Sequence, residues 1–293
     1  MKVLITGSKG FIGKYLLQEL KSHEIVEFDK QLGNDVLNSV QLMQKMQGVQ
    51  AVIHLAAALD EKNKEELQKI NVDGTWNVLE SAKNSGVKKF IYLSSVGVYG
   101  SSKNTVNENT STSPLTEYEK TKLEAEKICR QSQGKMNVII IRSAMIFGAN
   151  KYWKQIINMI QKGFPLINGG KNFFQFVYVK DLANAIAFLL EKNVKNETFI
   201  VAMEKPITLR TLYIMIQKHL HIHSKIKEMP EIIARIIAFY YSLIGKKTLL
   251  KQEYISRLIK ERNYSIEKIK KLGWSPAYST EQAIDETLKE LGE

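Results

Sequence analysis

The first 28 residues of the chain decide the fold: they read MKVLITGSKGFIGKYLLQELKSHEIVEF. Lys2–Thr6 (KVLIT) is a short apolar run of the kind that forms a buried parallel strand. Over residues 11–20 the apolar side chains recur at helical spacing, and Glu24–Phe28 (EIVEF) is a second short strand-like segment. The order strand, glycine-rich turn, helix, strand predicts the first βαβ unit of an α/β fold.

Three glycines, Gly7, Gly10 and Gly13, follow the first predicted strand with the spacing GxxGxxG. Glycine permits backbone angles that other residues avoid, and it lets a bound group approach the chain closely. The helix that begins near Phe11 offers free N–H groups and the positive end of its dipole to an anion. Because the motif lies directly between a strand and a helix, it predicts a site for the pyrophosphate of a dinucleotide.

Asp29 stands at the end of the second predicted strand. A carboxylate at this point accepts hydrogen bonds from the hydroxyls of the adenosine ribose and repels a 2′-phosphate. Asp29 therefore favours NAD over NADP as the cofactor. Lys9 and Lys30 are close enough in sequence to contact a phosphate, so NADP stays open as the alternative.

Strand–helix alternation continues along the chain and predicts a doubly wound, Rossmann-type parallel sheet. Past about residue 150 the alternation weakens, and we expect a smaller, mostly helical C-terminal lobe that binds the substrate. The predicted domains are 1–150 for NAD binding and 151–293 for the substrate lobe, with 173–201 partly rejoining the first. The elements predicted after residue 28 are helices near 36–46, 61–85, 116–133, 151–162 and 181–192, strands at 51–55, 89–94, 137–142 and 198–201, an aromatic stretch at 173–179, and four helical segments to the end.

Composition excludes several classes of protein. The 293 residues are 44% apolar and 25% charged, which is a globular composition, and no apolar run reaches the length of a membrane span. The single cysteine, Cys129, excludes an internal disulfide and favours a reducing cytosol, so a cytoplasmic localisation is expected. The formal charge of +12 comes from lysines scattered among acids, which does not indicate nucleic-acid binding.

Tyr118 and Lys122 stand four residues apart in the helical stretch TEYEKTKLEAEK (116–127), so their side chains share one face. A free tyrosine, with a pKa of about 10, is a poor base at neutral pH. A nearby ammonium favours the phenolate and lowers the pKa of the phenol. A tyrosine in this setting takes a proton from a hydroxyl or returns one to a carbonyl. By itself the pair also fits an ordinary solvated helix face.

Ser95 strengthens the case for a reacting tyrosine. It ends the strand KFIYLSS (89–95), at the carboxyl edge of the predicted sheet, where open α/β folds bind ligands. Its hydroxyl is placed to donate a hydrogen bond to the substrate oxygen that Tyr118 serves. Ser94 points to the opposite face of the strand and is the weaker candidate.

Further segments carry a family resemblance. They are VIHLAA (52–57), NVDGTWNVLESAKNSGV (71–87), YLSSVGVYG (92–100), YEKTK (118–122), RSAMIFG (142–148), FVYVKD (176–181) and IEKIKKLGWSPAYSTEQAI (266–284). Together with the glycine turn and Asp29, they resemble the extended short-chain dehydrogenase/reductases, in the NAD-dependent epimerase/dehydratase branch. The resemblance is specific for the family and says little about the substrate.

The resemblance implies a role for each matching residue. Ser95, Tyr118 and Lys122 would be the catalytic triad, and Asn71 would support the active-site helix. A homodimer would form through the helices near 61–85 and 116–133. The cofactor-binding residues that the resemblance and the motifs imply are Gly7, Gly10, Phe11, Ile12, Gly13, Asp29, Asp35, Val36, Leu55, Ala56, Ala57, Asn71, Tyr118 and Lys122.

The chain also departs from the family pattern. Val96 and Gly97 stand where the sugar-nucleotide dehydratases of the family carry an Asp-Glu pair, so a dehydratase is not expected. Met145 stands where many sugar-nucleotide epimerases have an asparagine, three residues after the arginine that matches Arg142. The departure removes a polar contact to a diphosphate and leaves room for another substrate.

Three functions follow, with epimerisation of a nucleotide sugar at C4, through a transient keto-sugar, as the leading hypothesis. The second is a dehydrogenase or reductase of a hydroxylated lipid, a steroid-like compound or a small carbonyl. It is motivated by Met145 and by the apolar segment EIIARIIAFYYSLI (231–244). The third is a nucleotide-sensing scaffold without chemistry, against which the intact Ser95, Tyr118 and Lys122 argue.

Two other features have ordinary interpretations. The segment 231–244 is too short to span a bilayer, and we expect a helix buried between the lobes, with a pocket lid or a membrane-surface contact as alternatives. His219, His221 and His223 alternate, but we interpret them as a helix end and a loop. No metal site is therefore predicted.

Overall fold

The structure is a computed structural model and describes residues 1–102, 104–134, 136–244 and 252–292. In chain order its strands are β1 (Lys2–Thr6), β2 (Glu24–Phe28), β3 (Ala51–His54), β4 (Lys89–Ser95), β5 (Asn137–Ser143), β6 (Met145–Phe147), β7 (Leu166–Ile167), β8 (Phe173–Phe174), β9 (Phe176–Tyr178), β10 (Thr198–Val201), β11 (Ile207–Thr208) and β12 (Glu228–Met229). Its α-helices are α1 (Phe11–Glu19), α2 (Ser39–Lys45), α3 (Lys64–Gln68), α4 (Gly74–Asn84), α5 (Glu117–Gln131), α6 (Lys151–Gln161), α7 (Val179–Glu191), α8 (Leu209–His219), α9 (Glu231–Leu243), α10 (Gln252–Ile259), α11 (Glu267–Lys270) and α12 (Thr280–Leu291).

Six parallel strands form the central sheet, in the order β2-β1-β3-β4-β5-β10. The chain places β2 on one side of β1 and then returns to place β3 on the other side. The strand order therefore reverses between β1 and β3, and ligands bind outside the carboxyl ends of the strands at such a point. The doubly wound, Rossmann-type sheet that the sequence predicts is confirmed.

Helices cover both faces of this sheet because successive strand residues point to opposite sides. Val3 and Ile5 pack with Leu16 of α1 on one face, whereas Leu4 packs with Leu42 of α2 on the other. α7 lies beside α1, and α4 and α5 lie beside α2 on the second face. Both faces are buried, which explains why the strands read as continuous apolar runs.

The helix predicted at 61–85 is interrupted in the structure. It begins at Lys64, where the Asn63 side chain accepts a hydrogen bond from Glu66 N at 3.0 Å. A π-helical turn, Lys69–Asp73, then separates α3 from α4. Such turns insert one extra residue and often lie at functional sites. Asn71 is buried inside this turn, so the interruption gives its side chain an inward position.

A second apolar core holds the C-terminal lobe together. The ring of Phe147 lies 4.5 Å from Trp153 and 4.8 Å from Phe176, measured between centroids. The aromatic stretch predicted at 173–179 forms the short strands β8 and β9, and β9 pairs with β6. Gln175 between them is fully buried and donates to Met203 O at 2.6 Å.

Two expectations for the C-terminal region are wrong. After β10 the described residues form five helices rather than four, because α11 is a separate single turn. α9 is not buried between the lobes. Ala234 and Ala238 are buried against Ile167 and Ile255, with Ile237 partly buried beside them, whereas most of the larger apolar side chains of α9 are exposed. The reason is that alanines form the packing face.

β10 lies in the main sheet although it follows α6 by many residues, and α7 packs on α1. The domain boundary predicted near residue 150 stays a prediction. β10, from beyond this boundary, lies in the same sheet as the strands that precede it. Over the described ranges, no helix combines the length and the apolar character needed to cross a bilayer.

Candidate active site

A cavity of about 630 Å³ opens where the chain leaves the carboxyl ends of β1, β3 and β4. Its volume lies within the usual range of small-molecule sites. It is the point at which the strand order reverses, as expected for a nucleotide site in this fold. The predicted site residues that line it are Gly7, Gly10, Phe11, Ile12, Gly13, Asp29, Asp35, Val36, Leu55, Ala56, Ala57, Ser95, Tyr118 and Lys122.

The chain packs tightly at the glycine turn, where side chains would collide with neighbouring backbone. Gly7 has a φ of +71°, and a Cβ there would lie 2.9 Å from Ala56 N. A Cβ on Gly13 would lie 2.3 Å from the carbonyl oxygen of Ser8. α1 begins after Gly10 with no side-chain cap. The uncapped N–H groups and the helix dipole therefore fit the pyrophosphate of a dinucleotide.

Asp29 is buried and held in place by backbone donors. Its Oδ2 accepts from Lys9 N at 2.9 Å, and its Oδ1 accepts from Gln31 N at 2.8 Å. Each carboxylate oxygen keeps a second acceptor position, which suits two ribose hydroxyls. The ammonium of Lys9 lies 2.7 Å from the carboxylate of Glu27, so this lysine pairs with an acid of the protein rather than with a 2′-phosphate. These contacts favour NAD.

Asp35 and Val36 form the outer part of the cavity wall. The Asp35 carboxylate accepts from Leu37 N at 2.9 Å, which fixes the turn. Val36 is buried against Gly74, where an added Cβ would lie 2.8 Å from a Val36 methyl. An apolar surface beside a fixed turn suits the flat face of an adenine.

α5 presents the reacting side chains. The Thr116 hydroxyl accepts from Glu119 N, and the Glu119 carboxylate accepts from Thr116 N, so a capping box fixes the first turn. Tyr118 N donates to Glu61 Oε2 at 3.2 Å. Tyr118 and Lys122, one turn apart, line the same cavity as Ser95 at the end of β4. The structure thus brings the three predicted catalytic side chains to one wall.

Lys122 is buried and lies over an aromatic ring. Its Nζ is 4.4 Å from the centroid of Tyr92, a buried residue of β4. Burial lowers the pKa of Lys122 to about 8, while the carboxylate of Glu126 acts in the opposite direction. Near neutral pH the side chain is therefore still cationic, one helical turn from Tyr118.

Ser94 and Ser95 have different partners. The Ser94 hydroxyl is buried and donates its proton to Glu126 Oε1 at 2.6 Å, although Ser94 also lines the cavity. Ser95 Oγ accepts from Gly97 N at 3.0 Å. That bond uses an oxygen lone pair and leaves the hydroxyl proton of Ser95 for a group in the cavity.

A buried ion-pair network behind the site was missed in the sequence. Arg142 donates to both oxygens of Glu126, at 2.9 Å from Nε and 2.6 Å from Nη2. Its Nη1 donates to the Tyr99 hydroxyl at 2.7 Å. Both charged side chains are buried. The available signal was spacing, since Glu126 follows Lys122 by one helical turn. The network joins α5 to β4 and β5 directly below Lys122.

His54 is a packed residue with a hydrogen-bond partner at each ring nitrogen. Its Nδ1 lies 2.6 Å from Thr6 Oγ1, and its Nε2 lies 3.0 Å from Thr75 Oγ1. Because Thr75 donates its proton to Asn71 O, the ring donates from Nε2 and accepts at Nδ1. Burial, and then the charge of Lys122, lower the pKa of His54 to about 3, so the imidazole is neutral.

Asn71 does not lie on the cavity wall, unlike the other predicted cofactor residues. Its Oδ1 accepts from Ala58 N at 2.8 Å, and its Nδ2 donates to Ala58 O and to Thr121 Oγ1, both at 3.1 Å. The side chain therefore ties the loop after β3 to α5. This is the supporting role that the resemblance implies, and it is not a direct cofactor contact.

Among the residues that the structure describes, no three His, Cys, Asp or Glu side chains come together as a metal site. His219 instead lies with Nδ1 3.0 Å from Met215 O, at the end of α8. His221 adopts a left-handed backbone angle, with φ of 53°, in the loop that follows.

The chain is similar to known proteins. Residues 3–202 match the NAD dependent epimerase/dehydratase family. The chain belongs to this family. Its members are NAD-dependent enzymes, so the predicted NAD cofactor and enzymatic class are confirmed at the family level.

Curated relatives span nearly the whole chain. The N-acetyl-alpha-D-glucosaminyl-diphospho-ditrans,octacis-undecaprenol 4-epimerase of Escherichia coli O157:H7 is 26% identical, over 98% of this chain and 94% of its own length. The decarboxylating sterol-4-alpha-carboxylate 3-dehydrogenase of Dictyostelium discoideum is also 26% identical, over 97% and 99%. The crystal structure of UDP-glucuronic acid 4-epimerase from Bacillus cereus, in complex with NAD, has a TM-score of 0.80 at 21% identity and covers 100% of this chain and 99% of its own. At that identity the structural likeness shows the fold.

Proposed function

We propose that this protein is an NAD-dependent 4-epimerase acting on a nucleotide sugar. The observation that carries the proposal is the meeting of Ser95, Tyr118 and Lys122 on the wall of the cavity that also contains the glycine turn and Asp29. Two relatives of known activity, one by sequence and one by structure, are 4-epimerases of diphospho-sugars.

The proton chemistry follows from the placement of these side chains. The buried ammonium of Lys122 favours the phenolate of Tyr118, which removes the proton from the sugar hydroxyl at C4. Ser95 donates its remaining proton to the same substrate oxygen. The glycine turn and Asp29 would hold NAD, which would supply hydride transfer from the sugar carbon and back to its opposite face. Tyr118 then gives its proton back to the sugar oxygen, so net redox is zero.

The surroundings of Gly97 argue against a dehydratase. A Cβ at this position would lie 2.8 Å from Glu119 Cγ and 3.2 Å from Ser95 Oγ. An acidic side chain has no room there without moving the capping box of α5. The structure thus supports the expectation from Val96 and Gly97 that the elimination chemistry of dehydratases is absent.

A second candidate is a net dehydrogenase or reductase of a hydroxylated lipid or steroid-like alcohol. Met145 lines the active-site cavity and also a smaller apolar cavity of about 100 Å³ beside it. The sterol dehydrogenase among the relatives shares the full length of the chain. This candidate predicts one NADH formed for each alcohol oxidised, whereas an epimerase accumulates none. The scaffold alternative predicts NAD binding without turnover of any sugar, alcohol or ketone.

The test is a panel of UDP-hexoses, UDP-N-acetylhexosamines and sterols incubated with the purified protein and NAD. We expect inversion at C4 of a nucleotide sugar, seen by NMR, without NADH accumulation. The variant Tyr118→Phe should lose at least about a thousandfold in turnover, since it removes the general base, while NAD affinity stays within about twofold. Unchanged turnover in this variant contradicts the role of Tyr118.

We also propose a homodimer, formed through α3–α4 (near 61–85) and α5 (near 116–133), and a cytoplasmic location. α4 packs beside α5, and Trp76 on α4 is 47% exposed, which is unusual for so large an apolar side chain. The lone buried thiol of Cys129 suits a reducing cytosol. The variant Trp76→Glu should convert a dimer to a monomer in sedimentation velocity, and a monomeric wild type contradicts the proposal.

A further inference from the structure

The exposed side of α9 carries an apolar stripe, formed by Ile232, Ile236, Phe239, Tyr240 and Leu243. These side chains are 59–73% exposed, and their spacing of three and four residues places them along one helix face. Monomeric soluble proteins rarely expose so continuous an apolar patch unless it contacts a partner or a membrane. The stripe therefore requires an occupant.

The opposite side of α9 fixes the direction of the apolar stripe. Ala234 and Ala238 are buried against Ile167 and Ile255. Arg235 donates to Glu231 Oε1 at 2.8 Å and to Gln252 Oε1 at 3.0 Å, which ties the helix to α10. The helix thus cannot turn its apolar stripe inward without breaking these contacts.

Charge around the stripe is positive. Lys225 and Lys227, just before α9, are exposed. The neighbouring carboxylates of Glu228 and Glu231 are engaged by arginines, at 2.6 Å from Arg210 and 2.8 Å from Arg235. The whole chain carries a formal charge of +12. A second copy would bring the same charge to the contact, whereas an anionic surface would attract it.

An apolar path leads from the base of α9 to the active site. The apolar cavity of about 100 Å³ lies between α6, β7 and α8, and Ile167 forms part of its wall as well as of the contact with α9. At its other end Met145 and Tyr152 line both this cavity and the active-site cavity. The hydrocarbon part of a substrate could therefore extend from the reacting centre towards the helix.

We propose that the apolar stripe of α9 lies in the headgroup boundary of an anionic lipid bilayer, and that the apolar cavity takes the hydrocarbon chain of a substrate drawn from that bilayer. Interfacial helices bind in this way, by burying an apolar face while nearby lysines meet anionic headgroups. The docking step stands on the surface alone. The substrate step rests on the second candidate under the proposed function, a hydroxylated lipid or steroid-like alcohol, because a nucleotide sugar has no hydrocarbon chain.

Docking is tested by flotation of the full-length protein with vesicles of phosphatidylethanolamine and roughly one-third phosphatidylglycerol, against vesicles of phosphatidylcholine. Wild type should float with the anionic vesicles and bind less at high salt. Ile232→Ser/Phe239→Ser should weaken binding at least about tenfold, because two buried apolar side chains are lost. The control Val40→Ser/Met43→Ser, which removes exposed apolar groups from α2, should bind like wild type.

Three outcomes overturn the docking. The first is that wild type does not float with anionic vesicles. The second is that Ile232→Ser/Phe239→Ser floats as well as wild type. The third is that Ile232→Ser/Phe239→Ser dissociates an oligomer in sedimentation velocity while wild type does not bind vesicles. The last outcome makes the stripe an interface between copies of the chain. Turnover of a soluble nucleotide sugar by wild type is measured separately, so failure of the proposed function is seen independently of vesicle binding.

The hydrocarbon site is tested by calorimetric titration of the NAD-saturated protein with farnesyl diphosphate, a short isoprenoid diphosphate. Binding with a negative heat-capacity change is expected, as for burial of an apolar chain. Ile156→Glu, which places a carboxylate in the cavity wall, should weaken binding at least about tenfold. Gln161→Glu, at the exposed end of the same helix and outside the cavity wall, should change it less than about twofold. No binding by wild type, or equal loss in both variants, contradicts the assignment.

Discussion

At the scale of single residues, the environment of Lys122 decides what the site can do. Its spacing from Tyr118 could be predicted from the sequence, because four residues make one helical turn. Its burial over the ring of Tyr92 could not, since that ring comes from β4 and the contact exists only once helix and strand have packed. The same holds for Glu126, whose partner Arg142 lies on β5.

The lowered pKa of Lys122 gives a pH-dependent stability. Because the folded pKa is about 8 and the usual value is 10.5, the unfolded chain binds more protons between these values. The free energy of unfolding therefore rises with pH between about 8 and 10.5, as Lys122 loses its buried charge. Below about pH 8 the folded protein carries the full energetic penalty of that buried charge. Lys122→Met should be more stable than wild type near pH 7, by a margin that shrinks towards about pH 10.

Urea denaturation at several pH values measures this margin. Lys120→Met is the matched control, since Lys120 lies on the same helix, is exposed and pairs with Glu117 at 2.9 Å. Its effect on the free energy of unfolding should stay within about 0.5 kcal/mol at every pH. A margin for Lys122→Met that is constant with pH would show that burial does not perturb this lysine.

The two neighbouring serines separate catalysis from support. Ser95→Ala removes the hydroxyl that faces the cavity and should lower kcat about 100-fold, as for loss of one transition-state donor. Ser94→Ala removes one of the two donors to the buried Oε1 of Glu126, the other being Arg142 Nε, and should lower the free energy of unfolding by about 1–3 kcal/mol. Steady-state kinetics and denaturation on both variants give the comparison. The reverse pattern, with Ser94→Ala losing turnover and Ser95→Ala losing stability, would exchange their roles.

At the scale of elements, the start of α1 depends on two glycines to different degrees. A Cβ at position 13 would lie 2.3 Å from a backbone oxygen, whereas one at position 10 would lie 3.0 Å from Gly7 O. Gly13→Ala should therefore lower NAD affinity at least about tenfold and lower stability by about 1–3 kcal/mol. Gly10→Ala should have the smaller effect in the same calorimetric NAD titration and thermal melt. Equal effects would mean that the turn adapts to a methyl group at either position.

α5 is anchored by the carboxylate of Glu126. Glu126→Gln leaves the guanidinium of Arg142 buried without its counter-charge and should lower the free energy of unfolding by about 3–5 kcal/mol. Glu124→Gln, on the exposed side of the same helix, should change it by less than about 0.5 kcal/mol. Denaturant titration of both variants measures this. A loss under about 1 kcal/mol for Glu126→Gln would mean that water or another group replaces the pair.

Helix and strand positions in the first 150 residues follow from apolar spacing, yet local interruptions do not. The π turn at Lys69–Asp73 has no signature in the periodicity around it, because Asn71 takes its inward position only through bonds to Ala58 and Thr121. The exposure of α9 could likewise not be predicted from the sequence. Its composition indicates burial, and only packing shows that the alanines take that role.

At the scale of the whole molecule, alternation of strands and helices was enough to predict the sheet and the position of the cavity. The C-terminal lobe was not predictable in the same way. Four of its strands are only two residues long and pair across long separations, β7 with β12 and β8 with β11. Such short pairs leave no periodic pattern, because tertiary contacts and not local preference create them.

The two lobes also meet at the active-site helix. Lys260, in the C-terminal region, lies 3.1 Å from Glu119 Oε1, and both side chains are largely buried. Glu119 is part of the capping box that fixes the turn carrying Tyr118. The C-terminal region is thereby tied directly to the first turn of α5, which carries Tyr118.

In the proposed reaction Tyr118 and its neighbours invert a sugar carbon without net redox. This is tested with a uridine-diphosphate hexose carrying deuterium at C4, incubated with the protein and NAD, with the product examined by NMR. We expect a product inverted at C4 that retains its deuterium, with no accumulation of NADH. Deuterium appearing in accumulating NADH beside a ketone product, or no inversion of any hexose in the panel, would contradict it.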